Sequence, residues 1–147
     1  QLIAIDGGES RFLLHSWAFG AALYASTVAY LLRYVFQRDA MTADKLYGAA
    51  AAYLMLGVLW GYLYAIANHL QPGSFAFGGS VTSPLLGDLL YFSFTTLTST
   101  GFGDAVPLLR YVRGLCVLEQ LVGALFLAIL IARLAGVYPP GRGDAGT

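Results

Sequence analysis

The 147-residue chain is 58% hydrophobic and only 11% charged, with eight Lys and Arg balancing eight Asp and Glu. That composition excludes an ordinary soluble domain, and zero formal net charge supplies no field for holding nucleic acid. A single cysteine, Cys116, excludes a disulfide within the chain, and no Cys/His spacing has the form of a zinc site.

In chain order, residues 1–12 form an N-terminal segment expected on the extracellular side. The chain opens on Gln1 rather than Met and lacks a basic-then-apolar leader, which predicts a trimmed N-terminus. Residues 13–36 are the first apolar run as long as the ~20 residues that a helix needs to cross ~30 Å of hydrocarbon. A short polar link, 37–45, leads into the second run, 46–70, so the two are expected to form an antiparallel hairpin. Small residues at Gly20, Gly48, Gly57 and Gly61 allow close helix approach, while Trp60, deep in the second run, requires a packing partner. The segment 71–83 is uncharged and rich in Gly, Ser and Phe, as an extracellular loop would be. Residues 84–97 are apolar but too short to span, and Ser83 as N-cap with Pro84 at the first helical position predicts a re-entrant helix there. A third span follows over 109–137, and the Gly- and Pro-containing tail 138–147 is expected to be disordered. The predicted fold is an all-α membrane protein.

Arg33, Arg38 and Lys45 around the link, with Arg133 and Arg142 near the C-terminus, outnumber Arg11, Arg110 and Arg113 at the opposite span ends. That asymmetry predicts a cytoplasmic link and C-terminus. No span carries Arg or Lys at three-residue spacing, so strong voltage sensing is not expected.

The densest chemical signal follows the short helix. Its C-terminal end carries partial negative charge and precedes Thr98-Ser99-Thr100. Gly101 and Gly103 flank Phe102, and glycine admits positive φ values that, alternating with ordinary ones, aim successive carbonyls along one line. Such carbonyls and the Ser99 hydroxyl are hard oxygen ligands for a cation, but one chain cannot close a ring around an ion; four can.

The run Thr95-Thr96-Leu97-Thr98-Ser99-Thr100-Gly101-Phe102-Gly103-Asp104, with Pro107 after it, resembles the signature of the potassium channel pore family. The likeness is to the bacterial ion-channel group with extra N-terminal helices. It covers about Leu46 to Val137 and implies a pore domain over 45–137: outer helix 46–70, pore helix 84–97, selectivity filter 99–103 and inner helix 109–137. The run 13–36 would be the additional helix. The resemblance implies a homotetramer in the cell membrane, each chain partnered by three identical subunits and by lipid. Potassium ions would bind at Ser99, Thr100, Gly101 and Phe102 and pass through without chemistry. No organic cofactor and no nucleic acid are implied, and the sequence identifies no gating ligand. Gly123 stands where many members have a hinge glycine, with close helix packing as the other reading.

Departures from the family pattern generate further expectations. Thr100 replaces the usual Val or Ile, and an unpaired buried hydroxyl would cost about 1–3 kcal/mol, so Thr100 should have a partner. Phe92 and Phe102 replace a Trp and a Tyr, which predicts an apolar collar around the filter. Thr95 stands where another member has a Glu paired to the acid after the filter, so Asp104 needs a different donor, for which Tyr91 is the candidate; Thr95 and Thr98 complete the expected support. Glu119 lies inside a span, where a carboxyl is costly and faces protein, water or a partner. It is expected to bond behind the filter to Thr95, Thr96 or Thr100, with a cation-attracting position in the cavity as the rival reading. Arg133 is expected to reach the membrane interface. A weakly selective Na+/K+ channel and a non-conducting regulatory subunit are the alternatives; a hydrolase built on His15 or His69 lacks any Ser–His constellation.

Overall fold

A computed structural model describes residues 7–37, 42–81 and 83–137. Three helices, α1 (Gly7–Val35), α2 (Ala43–Leu70) and the one we number α4 (Arg110–Val137), contain stretches long and apolar enough to cross a membrane. Between them lie a shorter helix, α3 (Leu86–Leu97), and three short strands, β1 (Phe75–Phe77), β2 (Ser80–Val81) and β3 (Ala105–Pro107). The expected tail 138–147 and the link positions 38–41 fall outside the described residues.

Two boundaries differ from expectation for identifiable reasons. The first helix begins at Gly7, inside the segment expected to precede it, since helical hydrogen bonding need not stop where the apolar run stops. The α3 helix begins at Leu86 rather than at 84, and Ser83 is not its cap. Instead the Leu85 amide donates to Asp88 Oδ2 at 2.8 Å. A carboxylate in the first turn thus satisfies an amide at the helix end and complements the helix dipole.

The segment 71–83 is more ordered than a loop and corrects the purely helical expectation. Its strands β1 and β2 form an antiparallel sheet with β3 from beyond α3, in the order β2-β1-β3, with Ala76 opposite Val81 and Val106, and Phe77 opposite Ser80 and Ala105. The turn is Gly78-Gly79, with φ of 57° and 80°; positive φ at both central positions matches the right-handed twist of a two-residue hairpin.

Packing is organised around α2. A Cβ placed on Gly57 would come within 2.5 Å of the Phe94 ring, and one on Gly61 within 2.5 Å of Leu90 Cδ2. Two glycines one turn apart on α2 therefore receive two side chains one turn apart on α3, and the reversed order makes the helices antiparallel. Trp60, Tyr64, Phe75, Leu89, Phe92, Val112 and Cys116 form a buried cluster joining α2, β1, α3 and α4, which supplies the packing that Trp60 required. On α4 the buried positions are Val112, Cys116, Glu119, Gly123 and Phe126, a single stripe at helical spacing. The opposite face, with Val117, Leu118, Leu121 and Leu125 exposed, is apolar and uncovered in one chain.

Gly57→Val should lower stability by about 1–3 kcal/mol, because the added methyls overpack the Phe94 site. Thermal melting in detergent should show a reduced midpoint, while Gly87→Ala, where a Cβ meets nothing within 4 Å, should leave it nearly unchanged.

Candidate functional site

The last carbonyls of any helix lack intrahelical partners. In α3 they are taken by the chain that follows it. The Ser99 amide donates to Thr96 O at 2.9 Å, and the Thr100 and Gly101 amides both donate to Thr95 O, at 2.8 and 3.2 Å. The Leu97 carbonyl accepts from the Tyr53 hydroxyl of α2 at 3.1 Å.

With its amides turned back on the helix, the segment adopts an alternating backbone. Ser99, Gly101 and Gly103 have φ of 56°, 54° and 82°, whereas Thr100 and Phe102 do not have positive φ. Among the described residues, no hydrogen bond is made to the carbonyls of Ser99, Thr100, Gly101 or Phe102. The segment is exposed in the single chain, so a row of unsatisfied carbonyls is left available to an outside partner.

The exit from this segment is tied down on one side. The Tyr91 hydroxyl donates to Asp104 Oδ2 at 2.9 Å, so Asp104 has the donor sought for it, and Asp104 Oδ1 accepts from the Ala105 amide at 3.0 Å. The Gly78 amide donates to the Asp104 carbonyl at 2.7 Å, joining the segment to the hairpin turn. The Tyr91 ring also stacks on Phe102, nearly parallel at 6.4 Å between centroids. The hydrogen bond to Asp104 pushes the Tyr91 phenol above its ordinary value.

Several site expectations are met differently. Thr100 finds its partner in the Thr98 hydroxyl, 2.8 Å away, not in α4. Thr95 and Thr96 hydroxyls donate to the Phe92 carbonyl of their own helix, so neither has a proton to offer Glu119, whose contacts are made elsewhere. Phe92 does not form a collar with Phe102 in this chain: it is buried against Tyr64 and Phe75, with 5.2 Å between ring centroids in each pair, and Tyr91 is the ring beside Phe102. The reason is helical register, since adjacent positions on α3 face different sides.

Glu119 is behind α3, but with other partners than those expected. Tyr64 of α2 donates to its Oε2 at 2.5 Å, and the Ser93 hydroxyl oxygen of α3 lies 2.6 Å from its Oε1. The same Ser93 oxygen is 2.7 Å from the Gly57 carbonyl of α2. Fully buried on the α4 stripe, the carboxyl is placed inside the protomer rather than on the uncovered face, against the cavity-lining reading. Gly123, one turn further along, is where the Leu97 carbonyl approaches α4: a Cβ there would lie 2.5 Å from that oxygen. The helix is continuous through it, and close packing accounts for the glycine. Arg133 donates to the Gln37 carbonyl and stands over the Phe36 ring, tying the end of α4 to the end of α1.

Sequence reasoning missed Ser93, Tyr64 and Tyr53. A signal existed for the first: Ser93 falls on the buried face of α3, between Leu89 and Leu97, and a buried hydroxyl demands a partner as a buried carboxyl does. His69 packs edge-on against Trp17, and His15 Nδ1 lies beside the Arg11 carbonyl.

Residues 49–138, more than half of the chain, match the family described as ion channel. The chain belongs to the ion channel family. Comparison with curated proteins and with solved structures yields no match. The matched channel domain takes in most of α2, the hairpin, α3, the alternating segment and α4, and with the three apolar helices it makes the chain a membrane protein. All of α1 and the first residues of α2 precede it.

Because its partner is a carboxylate, the Tyr91 phenol of this channel should lose its proton only above the ordinary phenol range. The bond is therefore intact at neutral pH and is lost as pH rises through the raised value. Ultraviolet difference titration of wild type against Tyr91→Phe should isolate that transition, and Asp104→Asn should move it down toward the ordinary value.

Proposed function

We propose that the chain is one subunit of a homotetrameric, potassium-selective channel, in which residues 99–103 form the selectivity filter. The alternating φ signs over Ser99–Gly103 carry this reading, because they accompany amides committed to α3 and carbonyls left without partners. Four such segments about a common axis would present rings of carbonyl oxygen able to replace the hydration shell of a cation. K+ would be held by the carbonyls of Ser99, Thr100, Gly101 and Phe102, with the Ser99 hydroxyl at the base, while Gly103 admits the turn out of the filter. The C-terminal end of α3, with its partial negative charge, would face the cation entering from the cavity. Conduction is passive and invokes no bond making.

In this arrangement α3 is the pore helix, α2 and α4 are the outer and inner helices, and α1 is the additional membrane helix. The link between α1 and α2 and the C-terminus lie in the cytoplasm and the hairpin sheet lies outside the cell, as the distribution of Arg and Lys supports. A hinge at Gly123 would have to act beside the Leu97 carbonyl, so opening would alter the packing at the end of the pore helix.

One observation favours a less selective pore. The Thr98–Thr100 hydroxyl pair puts polar groups beside the filter where the family commonly has an apolar side chain, and selectivity depends on the field and number of coordinating oxygens. Reversal potentials under opposed K+ and Na+ gradients separate the two readings.

Purified protein in liposomes should conduct K+, with block by barium. Gly101→Ala or Gly103→Ala should abolish flux while the tetramer still assembles, because a side chain in the left-handed region costs about 1–2 kcal/mol at each of four positions around the ring. Selective flux persisting in both variants would refute the filter assignment.

A further inference from the structure

Three oxygen–oxygen contacts run through Glu119 and Ser93, two of them at the Glu119 carboxyl, and their protons can be counted. Tyr64 to Oε2, Ser93 to Oε1, and Ser93 to the Gly57 carbonyl are 2.5, 2.6 and 2.7 Å long. Each is a hydrogen-bond length and needs one proton between its oxygens. The Tyr64 and Ser93 hydroxyls bring one proton each, and the Gly57 carbonyl brings none. Were Glu119 a carboxylate, Ser93 could serve only one of its two acceptors, leaving two bare acceptors in contact in a fully buried site. Such an unmet buried group is costly.

We infer that Glu119 is a neutral carboxylic acid whose own proton, donated to Ser93, completes a chain running Glu119 to Ser93 to the Gly57 carbonyl, while Tyr64 donates to its other oxygen. Every oxygen in the chain is then matched to a proton. Because Ser93 lies on α3, the chain fixes that helix to α2 and α4 at once, within one turn of the Thr95 and Thr96 carbonyls that bind the filter amides. Glu119 is thereby a positioning residue for the filter, acting through Ser93, and the inference in that respect rests on reading residues 99–103 as a filter. Tyr64 and Tyr53 from α2 and Cys116 from α4 are the titratable groups that face it among the described residues, and α3 presents Ser93.

The protonation is read directly by infrared spectroscopy of the assembled protein in lipid at neutral pH with isotope-labelled glutamate. A carboxylic-acid carbonyl band that disappears in Glu119→Gln is expected; only carboxylate bands from Glu119 would overturn the inference. The positioning role is read by liposome flux. Glu119→Gln, whose amide can donate to Ser93 while its oxygen accepts from Tyr64, should keep the wild-type K+/Na+ ratio, whereas Glu119→Ala should reduce it by about tenfold through the unmet Ser93 and Tyr64 groups. Glu119→Gln failing as severely as Glu119→Ala would overturn the donor assignment. A wild type that passes no K+ would refute the filter reading and the positioning role with it, while the infrared band still decides the protonation.

Discussion

Every feature of the alternating segment depends on how α3 ends. A helix that stops inside a bundle leaves its last carbonyls with no water to turn to, and each unmet group costs more than a typical hydrogen bond returns. Thr95 and Thr96 resolve this by accepting the amides of Ser99, Thr100 and Gly101, and Leu97 by accepting from Tyr53. Once those amides face the helix, the carbonyls between them cannot. An availability of oxygen ligands at residues 99–102 is thus a by-product of capping α3, before any cation is considered.

That capping is only as well placed as α3 itself, which is why its seat is built from residues with no side chain to yield. Gly57 and Gly61 receive Phe94 and Leu90, and Gly123 receives the Leu97 carbonyl. Dispersion and close approach set the distances, as they do between membrane helices generally. They do not by themselves set rotation of α3 about its axis, since an apolar ring tolerates several orientations. The directional contacts do: Ser93 against Gly57 and Glu119 on one side, and Tyr91 to Asp104 on the other. Burial of a carboxyl in a span makes sense as a device for orientation, where a purely apolar residue would supply affinity without direction.

Much of this was legible in the sequence because length and hydropathy fix what can cross a membrane. The three spans, the short helix before the glycines and the donor for Asp104 at Tyr91 could all be read from residue order. The hairpin was hidden because its strands are too short to show alternation, although Gly78-Gly79 between Phe77 and Ser80 is a two-residue turn signal. The start of α3 was misplaced because Ser83-Pro84 imitates a capped helix, while the carboxylate that closes the first turn is Asp88. Partners of Glu119 were misassigned for a different reason. Threonines near residues 99–103 looked free, but in a helix a threonine hydroxyl can bond a carbonyl one turn back, as Thr95, Thr96 and Thr98 do.

Position 99 shows which force decides in this segment. Ser99 holds φ of 56°, a conformation that costs a residue with a Cβ roughly 1–2 kcal/mol. Glycine would avoid that cost, as it does at 101 and 103. Three amide-to-carbonyl bonds to Thr95 and Thr96 surround the residue, each contributing about 0.5–1.5 kcal/mol net, so the strain is outweighed locally. What glycine would forfeit is the hydroxyl. In the proposed filter this is the only side-chain ligand, placed where an ion leaving water must find its first fixed oxygen ring. The strained serine is therefore consistent with selection for a ligand at that ring over the easier backbone, whereas at Gly101 and Gly103 no side-chain atom is asked for and the easier backbone is used.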